Sequence, residues 1–251
     1  MTARWQLGLA VLLAVTGGPA AAQTISQRVA QAPDGSVHLS FTARPGVCGN
    51  GRNISTSRDS DEWESDCESG PVRVALTVQG HQVTGIRTYV GGRWRAATGG
   101  VIDLGMVSAP AAADYLLEIA GDVDGEHGRD AVFPATLADS AVVWPRLIEI
   151  AKNEHAMRGA RRQAIFWLGQ AAGEAATRGL SAIVYQDSMD RYLREQAVFA
   201  LSQRPKDEGV PILIRIARTH PDPGIRKRAL FWLGQSEDPR AIALFQELLT
   251  K

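Results

Sequence analysis

Ten residues recur three times at a nearly fixed distance. RRQAIFWLGQ at 161–170 returns as REQAVFALSQ at 194–203 and as RKRALFWLGQ at 226–235, in steps of 33 and 32 residues. A helical segment repeated at this period specifies a solenoid, in which each unit buries its apolar face only against its neighbours. Such a chain has to stack, and the stack presents an extended surface.

A companion segment travels with the decamer. Leu147-Ile148-Glu149-Ile150-Ala151 is echoed by Leu116-Leu117-Glu118-Ile119-Ala120 and by Leu213-Ile214-Arg215-Ile216-Ala217. Each unit therefore holds two helices, the first with the Leu/Ile stripe and the second with the decamer. The units run over about 110–139, 143–171, 176–203 and 208–236, followed by a last helix at 239–250. Gly173, Pro205, Pro221, Pro223 and Pro239 fall between helices or at helix starts. The first unit is degenerate. Gly128 replaces the leading Arg, and Pro134 sits inside the helix, where it removes a hydrogen bond.

Before residue 108 the hydrophobic period is two. Val37, Leu39 and Phe41 alternate with polar neighbours, as do Val72, Val74, Leu76 and Val78, which predicts half-buried strands. A third strand is expected at about 83–90 after a turn at Gly80-His81. Gly91-Gly92 reads as a two-residue hairpin turn leading on to Trp94. The expected architecture is α+β: a small, mostly β module at 23–108, then an α-α solenoid of about four repeats at 109–251.

Residues 1–22 have the form of a secretory signal peptide. Arg4 precedes an apolar run from 7 to 15, and Ala20-Ala21-Ala22 supplies small residues for cleavage before Gln23. The run is too short to span a bilayer, and no other stretch qualifies. The expected location is therefore periplasmic or extracellular. In an oxidising compartment Cys48 and Cys67 are expected to form a disulfide, the alternatives being two free thiols or half a metal site. The six carboxylates between Asp59 and Glu68 do not fit a calcium loop, because Trp63 and Glu64 occupy the fifth and sixth positions. Asn53-Ile54-Ser55 matches a glycosylation sequon. With 27 basic and 27 acidic residues, no net field draws the chain to nucleic acid.

The repeated units resemble HEAT repeats, specifically the short HEAT-like units first associated with phycobilin lyases, as found in exported bacterial HEAT-repeat proteins. The resemblance rests on Arg161, Ala164, Leu168 and Gly169, on Arg194, Ala197, Leu201 and Ser202, and on Arg226, Ala229, Leu233 and Gly234. It departs from the pattern at Trp167 and Trp232, where Ala is usual, and at Ser202. The resemblance implies a scaffold or adaptor more often than an enzyme. It also implies that Arg161, Arg194 and Arg226 form a structural ladder with turn carboxylates such as Asp187, Asp190 and Asp222.

The remaining decamer positions are where specificity would lie. Arg162, Phe166 and Gln170 share a helix face, as do Glu195, Phe199 and Gln203, and Lys227, Phe231 and Gln235. Stacking would align them as a charged–Phe–Gln stripe on the concave side, suited to a peptide or protein partner. Alternatively, the Phe rings pack between units. No catalytic constellation, phosphate loop or paired His ligands can be read, and no cofactor or metal is expected. The principal alternative is an accessory or lyase-like enzyme holding a ligand or prosthetic group in the groove.

Overall fold

The computed structural model describes residues 23–56, 67–93, 100–122, 127–171 and 173–250. The expected signal segment and most of the acidic stretch lie outside the described residues.

The chain opens with a short helix, α1 (Ile25–Ala30), that the sequence reading did not foresee. Its signal was present. Thr24 accepts from the Gln27 amide while the Gln27 side chain accepts from the Thr24 amide, a reciprocal capping box. Six strands follow: β1 (Gly35–Phe41), β2 (Cys48–Asn50), β3 (Asn53–Ser55), β4 (Val72–Gln79), β5 (Gln82–Tyr89) and β6 (Val101–Met106). Four form one mixed sheet in the order β5-β4-β1-β6, and β2 pairs with β3. The alternation at 37–41 and 72–78 puts Val37, Leu39, Phe41, Val72, Val74, Leu76 and Val78 on a fully buried face.

The hairpin expected at Gly91-Gly92 leads on to Trp94, which lies outside the described residues. Both glycines have positive φ, and the next described strand, β6, lies at the far edge of the sheet and pairs in parallel with β1. The two glycines allow close approach. A Cβ on Gly91 would lie 2.1 Å from the Gly49 carbonyl oxygen, and Val90 bridges to Gly51. The Cys48–Cys67 disulfide joins the β2–β3 hairpin to the segment leading into β4.

After β6 the chain is helical: α2 (Ala109–Gly121), α3 (Gly128–Thr136), α4 (Trp144–Lys152), α5 (Arg158–Gln170), α6 (Glu174–Val184), α7 (Arg191–Ser202), α8 (Lys206–Thr219), α9 (Pro223–Gly234) and α10 (Pro239–Leu249). Even-numbered helices stack on one another from α2 to α10, odd-numbered helices stack from α3 to α9, and the two helices of each unit (α2 with α3, α4 with α5, α6 with α7, α8 with α9) pack together. This is the two-layer α-solenoid that the period requires. Stacking positions are buried to 0–1% exposure: Ala164, Ala197 and Ala229, and Leu168, Leu201 and Leu233.

The sheet and the solenoid share one hydrophobic core, from Ile25 through Phe41 and Leu116 to Leu244. Backbone bonds also join them. Arg44 and Asp139 amides donate to Leu137 and Thr42 carbonyls at 2.8 and 3.0 Å. Arg44 Nε donates to the Thr136 carbonyl at 3.0 Å, capping the end of α3.

Candidate functional site

The decamer copies lie on α5, α7 and α9, which pack side by side, so their outward faces form one surface. Phe166 and Phe231 are 41% and 53% exposed, and Phe199 is half-buried. Gln170, Gln203 and Gln235 are exposed, as are Arg162 and Lys227. Aromatic surface left in water forgoes the free energy that burial would return.

The rings are not unsupported. Phe133 stacks on Trp167 with centroids 5.3 Å apart, and Phe166 meets the same indole edge-on at 5.2 Å. Phe199 and Phe231 flank Trp232 at 4.9 and 5.0 Å. Trp167 and Trp232, the departures from the repeat pattern, are therefore platforms that hold the phenylalanines outward. Packing between units falls to Phe133 and Phe199, and exposure to Phe166 and Phe231.

The charged members are more engaged than the stripe idea assumed. Glu195 accepts from Arg191 at 3.2 Å and from Arg228 of the next helix at 3.1 Å. Arg162 reaches the Tyr192 hydroxyl at 3.5 Å, and Arg158 lies over the Tyr192 ring. Tyr192 was missed because it occurs in one copy only.

The arginine ladder is offset from its expected form. Arg194 lies 3.8 Å from Asp187 and 3.7 Å from Asp222, but Asp190 pairs with Arg158 rather than Arg161. Arg161 Nε donates to the Ala151 carbonyl, and Arg226 donates to the His220 and Pro221 carbonyls. These two cap the carbonyl end of the preceding helix, which carries partial negative charge. Asp190 and Asp222 are N-caps of α7 and α9, and their carboxyls are held below the ordinary range. For Asp222 the leading cause is the Gly224 amide; for Asp190 desolvation, which raises it, is outweighed by the Leu193 amide, Arg158 and the Tyr192 amide together.

Arg204 is a second missed residue. It is 7% exposed. Its guanidinium donates to Thr177 Oγ1 (2.7 Å), to the Gly169, Ala171 and Gly173 carbonyls, and to Glu208 (2.9 Å). It ties the end of α5, the start of α6 and the start of α8 together. No other copy carries Arg there, so the repeat gave no signal for it.

Two cavities adjoin these elements. One of about 430 Å³ lies at the α5 end of the stripe, lined by Arg44, Val142, Trp144, Trp167 and Gln170. Another of about 480 Å³ lies between α1, β5, α2 and α4, with His81, Tyr115, Glu118, Asp122 and Arg146 in its walls. Burial, reinforced by Glu118, pushes the Tyr115 phenol well above its ordinary value.

Among the described residues no group of three or more His, Cys, Asp or Glu is placed to hold a metal ion. His220 is buried with both ring nitrogens used: Nδ1 accepts from the Asp222 amide at 3.1 Å, and Nε2 donates to the Val184 carbonyl at 3.2 Å. Among the described residues no helix is long and apolar enough to cross a membrane.

Residues 180–251, from within α6 to beyond α10, match the family model described as HEAT repeats. Over this stretch the chain is similar to HEAT repeats. The units before it continue the same stack. A comparison with curated proteins finds no match.

Proposed function

We propose that the chain is an exported, non-enzymatic scaffold that binds a peptide or protein segment along the outward face of α5, α7 and α9. The observation that carries this reading is the exposure of Phe166 and Phe231 on tryptophan platforms. Rigid, partly exposed aromatics beside amide side chains are the usual anchors of a protein interface. The cavity at Trp144 and Trp167 gives the stripe a pocket at one end for an apolar side chain. Export is supported by the form of residues 1–22 and by the disulfide.

The test is affinity capture from the periplasm or secreted fluid with the protein and with its Phe166→Ala/Phe199→Ala/Phe231→Ala variant. A partner retained by the former and lost with the latter is the expected result. Equal recovery by both contradicts the reading.

A second reading is an accessory or lyase-like enzyme. It is favoured by the cavity at His81, Tyr115, Glu118 and Arg146, where titratable groups converge. Loss of an activity on Tyr115→Phe or His81→Gln, with the stripe variant unaffected, would favour it.

A further inference from the structure

The stripe of decamer residues stops at α5. One period earlier, the places of Phe166 and Gln170 fall to Phe133 and Leu137. Phe133 is half-buried and stacks on Trp167 at 5.3 Å, and Leu137 is fully buried. The strand module closes over this place. The Arg44 amide donates to the Leu137 carbonyl at 2.8 Å, and Ala43 bridges to Ala138. A segment lying along α9, α7 and α5 therefore meets a wall where Arg44 stands.

At this wall lies the cavity of about 430 Å³. Val142, Val143, Trp144 and Trp167 give it apolar sides, and Val142 is 72% exposed. Among the described residues its lining carries one charged group, Arg44, and no carboxylate. Gln170 adds a solvent-exposed amide.

The Arg44 side chain is held in place. Its Nε donates to the Thr136 carbonyl at 3.0 Å, at the carbonyl end of α3. That cap takes one of the five N–H groups of a guanidinium. Among the described residues its terminal nitrogens donate to no other group, pair with no carboxylate and are not sealed from solvent. Arg204 is the contrast, buried and paired with Glu208. A fixed, reachable guanidinium without a counter-ion, at the lip of an apolar cavity, suits a carboxylate joined directly to an apolar group. The end of a polypeptide has this form, because its carboxylate and its last side chain hang from one Cα. An internal Asp or Glu would place no apolar group in the cavity, and its chain would have to continue through the wall.

We propose that this cavity receives the C-terminal residue of the bound partner, with an apolar side chain against Trp144 and Trp167 and the free carboxylate at Arg44 and Gln170. The inference rests on the peptide-binding reading. It adds the class of partner, a protein whose chain ends in an apolar residue, and the direction in which that chain lies.

The probe is an array of short synthetic peptides of random sequence, anchored through their N-termini so that the carboxyl ends are free, beside the same array amidated. Peptides retained by the unchanged protein should end in an aliphatic or aromatic residue, and amidation should weaken their binding by about tenfold or more. Arg44→Gln, which keeps an amide donor for the Thr136 carbonyl, should bind the free acids no better than the amides. The comparison of acid with amide needs no variant, so it holds whether or not Arg44→Gln folds. Amides retained as tightly as acids overturn this proposal and leave the stripe reading standing. Carboxylate-dependent binding that persists in the Phe166→Ala/Phe199→Ala/Phe231→Ala variant upholds the pocket and contradicts the stripe. Octanoate that displaces the peptides at equal concentration overturns the proposal in favour of a free organic acid. Retention of no peptide at all overturns both readings.

Discussion

A Cβ on Gly169 would lie 3.1 Å from the backbone oxygen of Ala200 and 3.2 Å from its methyl group. The two positions set how closely α5 and α7 pack. Gly169→Leu is expected to destabilise the protein by about 1–3 kcal/mol through overpacking. Gly234→Leu, at the equivalent but open position, should be neutral or stabilising by up to about 1 kcal/mol. Urea denaturation of the two variants checks the contrast.

Arg204 joins three helices from a buried site. Arg204→Met removes the partner of Glu208 and of three carbonyl groups, and a loss of about 3–5 kcal/mol is expected. Denaturant midpoints for this variant and for Arg178→Met, an exposed arginine of α6, should differ accordingly.

Acid stability has a defined direction. Asp238 is held down to about 2, chiefly by its hydrogen bond from Arg240. Asp190, Asp222 and Glu208 are also lowered, Glu208 first by Thr177. A lowered folded-state value means the stabilisation is fully present above the unfolded value of about 4. It is lost as pH falls from there toward about 2 for Asp238. Thermal midpoints should be flat near neutrality and fall below about pH 4, and Asp238→Asn should make that fall shallower.

The disulfide closes a loop with a sequence separation of 19. Cys48→Ser/Cys67→Ser should cost about 3 kcal/mol. The β2–β3 hairpin should lose amide protection before α5, α7 and α9 do.

How much of this was readable before the fold was known depended on repetition. Ala164, Leu168 and their copies recur, so their burial and the unit boundaries followed from the period. The alternation in β1 and β4 likewise gave the buried sheet face. Arg204 and Tyr192 occur once and left no periodic trace. The ladder's partner carboxylates were legible but their pairing was not, because a period gives spacing within a helix but not the stagger between helices, which puts Asp190 opposite Arg158. The phenylalanines were ambiguous for a similar reason. Sequence shows that Trp167 and Trp232 follow a Phe, but not which side of the ring remains in water.

Single substitutions at those rings separate core from surface. Phe166→Ala and Phe231→Ala should cost about 1 kcal/mol or less, whereas Leu168→Ala on the same helix should cost about 2–5 kcal/mol. Denaturation of each variant gives the comparison and establishes that the stripe variants fold.

The most direct measurement is hydrogen exchange of the protein with a captured partner bound. Slowed exchange is expected in 162–170, 195–203 and 227–235, with β1 and β4 unchanged. Slowing confined to the sheet, or to the cavity between α1 and α2, would contradict the claim that the decamer face is the binding surface.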